Sequence, residues 1–330
     1  MAKGSSMGLK AKFDFKIRYW SGLIYHTTSS FRPQCLHRRY TPDLGKLARD
    51  LFKRGYHPGI WQIDCKTLTN SGIEFFTTGF ASQDNSKVSG SLQSKYKIED
   101  QGLTLTERWN TDNWLFGEIM QRDKLAEGLM LALEAKLQPG TNEADGKFKL
   151  GFAQENFNFL ADIGLNSEPL LNCSLVLGHK EFLGGVGAEF DIGNTEFKGW
   201  KVALGWTNET ATVHGELKNG DTWLASLFYK ASEKIDVGAE VTKGAGGQAG
   251  AENPEAEEGG GGDVIVGLGM IYHLEEDALI RAKINNVVEL GLGYEQKLRE
   301  GITASISAVL DCNNIKDGNH RFGVGVALQC

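Results

Sequence analysis

Residues 101–110, QGLTLTERWN, alternate in chemistry from one position to the next. Leu103, Leu105 and Trp109 fall on one face, while Thr104, Thr106, Arg108 and Asn110 fall on the other. A period of two marks a β-strand with one apolar and one wet face, because successive side chains point to opposite sides of the sheet. The pattern recurs along the chain. In KVSGSLQSKYKI, Val88, Leu92, Tyr96 and Ile98 oppose Lys87, Gln93, Lys95 and Lys97. In LMLALEAKL the leucines 129, 131, 133 and 137 oppose Glu134 and Lys136, and in DALIRAKI Ile280 and Ile284 oppose Arg281 and Lys283. GITASISAVL and RFGVGVALQ repeat it near the C-terminus. One residue breaks the rule: Glu107 lies on the apolar face.

Strands of this kind close in one of two ways. In a soluble sandwich the apolar faces meet in a dry core; in a membrane barrel they meet lipid and the polar faces line water. A closed sheet is one of two structures that satisfy every backbone group across a bilayer. No run of 18 apolar residues exists, so a transmembrane helix is excluded. The mean hydropathy of −0.29 reads as soluble, but a barrel escapes such a scan because only alternate residues meet lipid. Six prolines in 330 residues suit strands that need their ladder donors. Long charges crowd the polar faces, though a sandwich exposes charge equally well. No second, more hydrophobic set of central strands is present, which favours the barrel. Turn signals at Pro139-Gly140, Asn219-Gly220, Glu300-Gly301 and Asp317-Gly318 punctuate the series. About 270 residues, at about 14 per strand and turn, predict about 19 strands of the length a membrane strand needs.

The spacing predicts one helix, over TPDLGKLARDLFKR at 41–54. Thr41 suits an N-cap, Pro42 the first helical position, and Lys53 and Arg54 the negative end of the dipole. Leu44, Leu47, Ala48, Leu51 and Phe52 form one apolar stripe, with Lys46, Arg49, Asp50 and Lys53 off it. Gly55 and Gly59 in GYHPG make a hinge. A helix this short must pack on something.

Two segments stand outside the pattern. Residues 1–40 form an extension; residues 1–42 carry about eight Lys/Arg and one acid, so of a net −7 the remainder holds about −14. The extension is similar in composition to an organelle-targeting segment, but reads better as a flexible tail that touches an anionic surface. GAGGQAGAENPEAEEGGGG, 244–262, is Gly-rich and acidic and reads as a disordered loop between strands. It lacks the following helix and the cations of a phosphate-cradling loop. Five cysteines without C-x-x-C read as free thiols. The histidines, among them His179, His214 and His273, show no metal-ligand spacing, and no hydrolase or P-loop motif occurs. The chain predicts neither an enzyme nor a nucleic-acid binder, and no required cofactor.

The stretch Asp43–Cys330 closely resembles the mitochondrial porin, or voltage-dependent anion channel, family. The matching segments are DLGKLARDLFKRGY, KVSGSLQSKYK, GLTLTERWNTDN, AKINN followed by LGLGY, and DGNHRFGVGVALQ. The resemblance implies an all-β transmembrane barrel over 57–330, of about 19 strands with the first and last parallel. The helix and hinge at 41–56 would lie in or across the pore. It implies a voltage-gated channel of the mitochondrial outer membrane passing ions, ATP, ADP and other metabolites, with the C-terminal strand as its sorting signal. Lys46, Arg49, Lys53 and Arg54 would set pore charge and sense voltage. Glu107 matches the family's lipid-facing glutamate, which implies roles in gating, oligomer contact with a second copy, and docking of hexokinase-type kinases. The family's nucleotide contacts (weak NADH or ATP binding) map to Glu289, Leu290, Gly291, Ser307, Ala308, Val309, Leu310 and Asp311. Glu289 stands where the family has a neutral residue, and Gly128-Leu129-Met130 lacks the family's lysine. With the acidic body, these departures predict weak or cation-leaning selectivity. Three rival readings are a non-conducting docking scaffold, a protein-import barrel of the same fold, and a soluble nucleotide-binding β protein.

Overall fold

The alternation becomes a single sheet of nineteen strands. The computed structural model describes residues 44–83, 88–141, 143–244, 264–313, 315–316 and 320–330. The strands run from β1 (Ile60–Leu68) to β19 (Arg321–Gln329), and each is hydrogen-bonded antiparallel to the next. The seam closes when β1 pairs with β19 in parallel, Trp61 beside Val324 and Lys66 beside Gln329. An odd number of alternating strands forces that one parallel pair. Closure leaves the described strands no free edge, so each is hydrogen-bonded on both sides, with register shifts at Glu189/Phe190, His273/Glu275 and Lys297/Arg299.

Which face is outside decides between sandwich and barrel. Trp61, Val88, Phe182 and Leu204, all on the apolar side of their strands, are 64–76 % exposed. A sandwich would bury these residues. The polar side instead faces the helix and the lumen: Ser226, Glu240, Arg281 and Ser307 are buried there. The chain is therefore a barrel with a greasy exterior and a charged interior.

The helix, α1, spans Lys46–Lys53 and lies inside. It is shorter than the predicted 41–54. Gly45 adopts a left-handed φ of 71° and ends the helical run on its N-terminal side, and the expected cap at Thr41 and Pro42 lies outside the described residues. The apolar stripe is also narrower than expected. Ala48, Leu51 and Phe52 are buried, whereas Leu47 is 46 % exposed because the wall covers only one side of the helix. Leu44, upstream of the turn, inserts among Val176, Leu183 and Ala203 on a different part of the wall. The extension and most of the acidic segment at 244–262 lie outside the described residues.

Candidate functional site in the lumen

Three strands receive the helix: β13 (Thr222–Lys230), β14 (Ile235–Lys243) and β15 (Val264–Glu275). Ala48, Leu51 and Phe52 form one apolar cluster with Phe228, Ile271 and Leu279 of the inner wall. These three wall residues break the polar pattern of their strands where the helix covers them. The helix side chains pack so close to the wall that a Cβ on Gly269 would collide with the Leu51 side chain and lie 3.1 Å from Phe52 Cε1. Burying two side chains the size of Leu51 and Phe52 contributes about 1.5–3 kcal/mol each to docking.

Polar groups hold the C-terminal end of the helix. Lys283, on β16 (Ala278–Asn285), donates from Nζ to the Phe52 carbonyl at 2.7 Å and lies 4.3 Å over the Tyr56 ring. A cation at this end satisfies an orphan carbonyl and the negative pole of the helix together. Burial pushes the Tyr56 hydroxyl above the ordinary tyrosine range, against the pull of the Arg281 charge. Arg281 is buried beside Gly55 and ion-paired with Glu295 at 3.8 Å. Gly55 and Gly59, at the two ends of GYHPG, have φ of 79° and 69°, a region open to glycine without a Cβ clash. Past the hinge, the His57 amide donates to Ser307 Oγ at 2.8 Å. At the other end, His214 is buried against Gly45, and neither ring nitrogen meets a hydrogen-bond partner.

Of the four helix cations expected to charge the pore, Lys46, Lys53 and Arg54 are exposed to the lumen and Arg49 is half-buried. The wall itself carries both signs, largely matched. Glu74 bridges Lys66 and Lys97 at 3.6 and 3.3 Å; Lys149 bridges Glu118 and Glu134; Lys147 meets Asp162 at 3.6 Å; Arg321 meets Glu289 at 3.6 Å. The acidic excess of the body lies substantially at turns such as Glu276 and Asp277, rather than in the lumen.

Glu107 faces outward on β4 (Leu103–Asn110), as its place among Leu105 and Trp109 predicts. Its cross-strand neighbours are Ser94 and Gly117, small residues that leave the carboxylate uncovered. We expect Glu107→Gln to raise the stability of the membrane-inserted barrel by up to a few kcal/mol, read as a higher urea midpoint in lipid vesicles, because it removes a carboxylate that must be desolvated at depth.

The eight nucleotide-contact residues do not converge on one face. They lie on β17 (Glu289–Arg299) and β18 (Ile302–Asp311). Glu289, Gly291, Ser307, Val309 and Asp311 share the inner face, with Glu289 opposite Asp311 and Gly291 opposite Val309. Leu290, Ala308 and Leu310 belong to the outer face, since a strand alternates. Ser307 is covered by the hinge, and Glu289 and Asp311 help line a cavity of about 550 Å³ together with Asn286 and Asn313. Two carboxylates in that cavity disfavour a polyphosphate. No group of three or more metal-ligating side chains occurs among the described residues.

A closed barrel with a lipid-compatible exterior, a charged lumen and a helix docked inside defines a pore-forming membrane protein of the all-β class. The particular family follows from comparison. The eukaryotic porin family model matches residues 41–323, and the chain belongs to that family. It is 41 % identical to a voltage-dependent anion-selective channel of Drosophila melanogaster over 288 residues, 87 % of this chain and 97 % of that protein. Over the same shares of each chain it is 34 % identical to the non-selective voltage-gated ion channel VDAC2 of Xenopus laevis and 33 % identical to VDAC1 of Homo sapiens. The chain is a voltage-gated ion and metabolite channel of the mitochondrial outer membrane, which it crosses with its strands; it is not an enzyme.

Sequence reasoning missed Lys283, Tyr56, His214 and the Arg281–Glu295 pair. Each acts through a contact with the helix or hinge that local pattern does not encode. The apolar interruptions Phe228, Ile271 and Leu279 on otherwise polar faces were the signal that something covers them.

Proposed function

We propose that the pore is weakly selective and that α1, released from the wall, is its voltage-sensitive element. The observation that carries this reading is the helix itself: three cations and one acid, with a fourth cation, Arg54, at the C-cap, on a short element held to the lumen wall by one apolar face and followed by a glycine turn. A charge that crosses the full membrane field gains about 2.3 kcal/mol per 100 mV, which is comparable to the burial that keeps the helix docked. The paired charges of the wall support weak selectivity, because a lumen of matched sign neither concentrates nor repels one ion class strongly. What cation lean exists comes from acids at the strand turns.

Planar-bilayer recording in a KCl gradient tests both parts. The expected result is a conducting pore whose reversal potential stays near zero or moves slightly toward the cation side, with closure at high voltage of either sign. A strong chloride preference, or conductance indifferent to voltage, would contradict it.

Finer readings are supported more narrowly. Any nucleotide contact on β17 and β18 is confined to the inward set, Glu289, Gly291, Ser307, Val309 and Asp311, and is weak on account of the carboxylates. Glu107 supports contact with a second copy or with a hexokinase-type kinase, since an uncovered carboxylate at the lipid face is relieved by a partner. The basic arm at 1–40 supports attachment to anionic headgroups.

A further inference from the structure

The lumen wall opposite the helix carries aromatic rings where the alternation calls for polar residues. On β2 (Ile73–Ser82), Phe76 and Phe80 face inward, in register with Lys66 and Gln62, and are 37 % and 40 % exposed. On β5 (Leu115–Arg122), Phe116 faces inward opposite Arg108, and Trp114 precedes it by one inward step. The register aligns one row across adjacent strands: Phe76, Gln93, Arg108, Phe116 and Lys136. Neighbouring strands lie about 4.8 Å apart, so Phe76 and Phe116 are separated by about 14 Å.

The cations in this row differ from the rest of the wall. Arg108 donates from Nε and a terminal nitrogen to Gln93 Oε1 at 3.2 and 3.0 Å, and its guanidinium lies 5.5 Å from the Phe116 ring centre. Lys136 Nζ lies 3.8 Å over the Trp114 ring, although Asp145 is its register partner on the next strand. Among the described residues neither cation has a carboxylate within ion-pair distance, whereas Lys66, Lys97 and Lys147 each have one and Lys149 has two. Exposed rings on a water-filled wall are costly unless something covers them. Rings offer a stacking surface to any planar base, and a guanidinium with an ammonium beside them offers phosphate contacts.

We propose that the row Phe76–Gln93–Arg108–Phe116–Lys136, with Trp114, is a binding strip for nucleoside phosphates crossing the pore. The base stacks on an inward ring and the phosphates lie on Arg108 and Lys136. The strip is remote in sequence from the β17–β18 residues and free of their carboxylates. It rests on the lumen being a solute pathway.

The test is block of salt current in planar bilayers by ATP, adenosine or inorganic tripolyphosphate, each scored as a fraction of that chain's own KCl current. A KCl current marks a formed pore in each variant, and silence of the parent chain in KCl counts against the channel reading and not against the strip. ATP is expected to block the parent at concentrations about tenfold below tripolyphosphate, since stacking one base on an aromatic ring strengthens binding by about that factor or more. Joint Trp114→Thr and Phe116→Thr substitution abolishes this advantage and leaves the tripolyphosphate block as it was. Arg108→Gln with Lys136→Gln weakens both blockers. Equal block by ATP and tripolyphosphate in the parent, or an ATP advantage that survives the aromatic substitutions, overturns the proposal. Should the double aromatic variant give no pore, Trp114→Phe serves: ATP quenches tryptophan emission in the parent and quenches it less in the variant, and equal quenching overturns the assignment.

Discussion

Phe52→Ala shifts the closing voltage of the pore toward zero by about 40 mV or more. Truncating a buried phenylalanine costs about 3–5 kcal/mol, and here the loss falls on the docked helix, because Phe52 is 1 % exposed between Phe228, Ile271 and Leu279. Lys46, Arg49 and Lys53 against Asp50, with Arg54 at the C-cap, give α1 and its cap a net three positive charges. At about 2.3 kcal/mol per charge per 100 mV, a loss of 3 kcal/mol equals about 40 mV if the helix crosses the whole field, and more if it crosses part of it. Gly269→Leu acts in the same direction from the wall side, since the added side chain occupies the space of Leu51. Voltage ramps on single channels read the shift directly. A closing voltage unchanged in both variants would place the voltage sensor elsewhere.

The second large effect separates two adjacent residues. Leu92 and Ser91 sit at the middle of β3 (Val88–Ile98), one facing out and the other in, and they pair with Trp109 and Asn110 respectively. Leu92→Arg places a cation at the bilayer midplane and costs about 2–4 kcal/mol of barrel stability. Ser91→Arg faces water and changes stability by about 0.5 kcal/mol or less. Urea unfolding in lipid vesicles, followed by tryptophan emission, measures both. Equal penalties at the two positions would mean that both faces meet the same medium.

The parity of these strands was legible before any coordinates, because period-two chemistry survives in a single sequence. Each quoted strand, from Val88–Ile98 to Arg321–Gln329, lies where the alternation put it, and Glu107 lies outward as its neighbours required. The parallel seam was implied by family resemblance and follows also from an odd strand count. The start of the helix was misplaced because Gly45 reads as an ordinary helical interruption until its left-handed φ is known. Leu47 was assigned to the buried stripe because helical spacing describes a face, not the width of the wall that covers it. The family resemblance maps nucleotide contacts to the whole run 307–311, whereas alternation sends Ala308 and Leu310 to the outer face. The charge of the body was legible as a sum but not as a distribution. Pairing of Lys149 with Glu118 and Glu134 needs the register of three strands. The same holds for Arg281 and Glu295, whose ion pair joins residues on neighbouring strands of the inner wall.

The measurement that bears most directly on the whole account is cysteine scanning along 88–98 of the full chain in lipid vesicles, with the native cysteines replaced. A charged, water-soluble maleimide entering through the pore should modify the odd positions Ser89, Ser91, Gln93, Lys95 and Lys97, and leave Leu92, Ser94 and Tyr96 untouched. Uniform labelling of both sets, or protection of the odd set, would contradict a barrel whose apolar face meets lipid and whose charged face meets water.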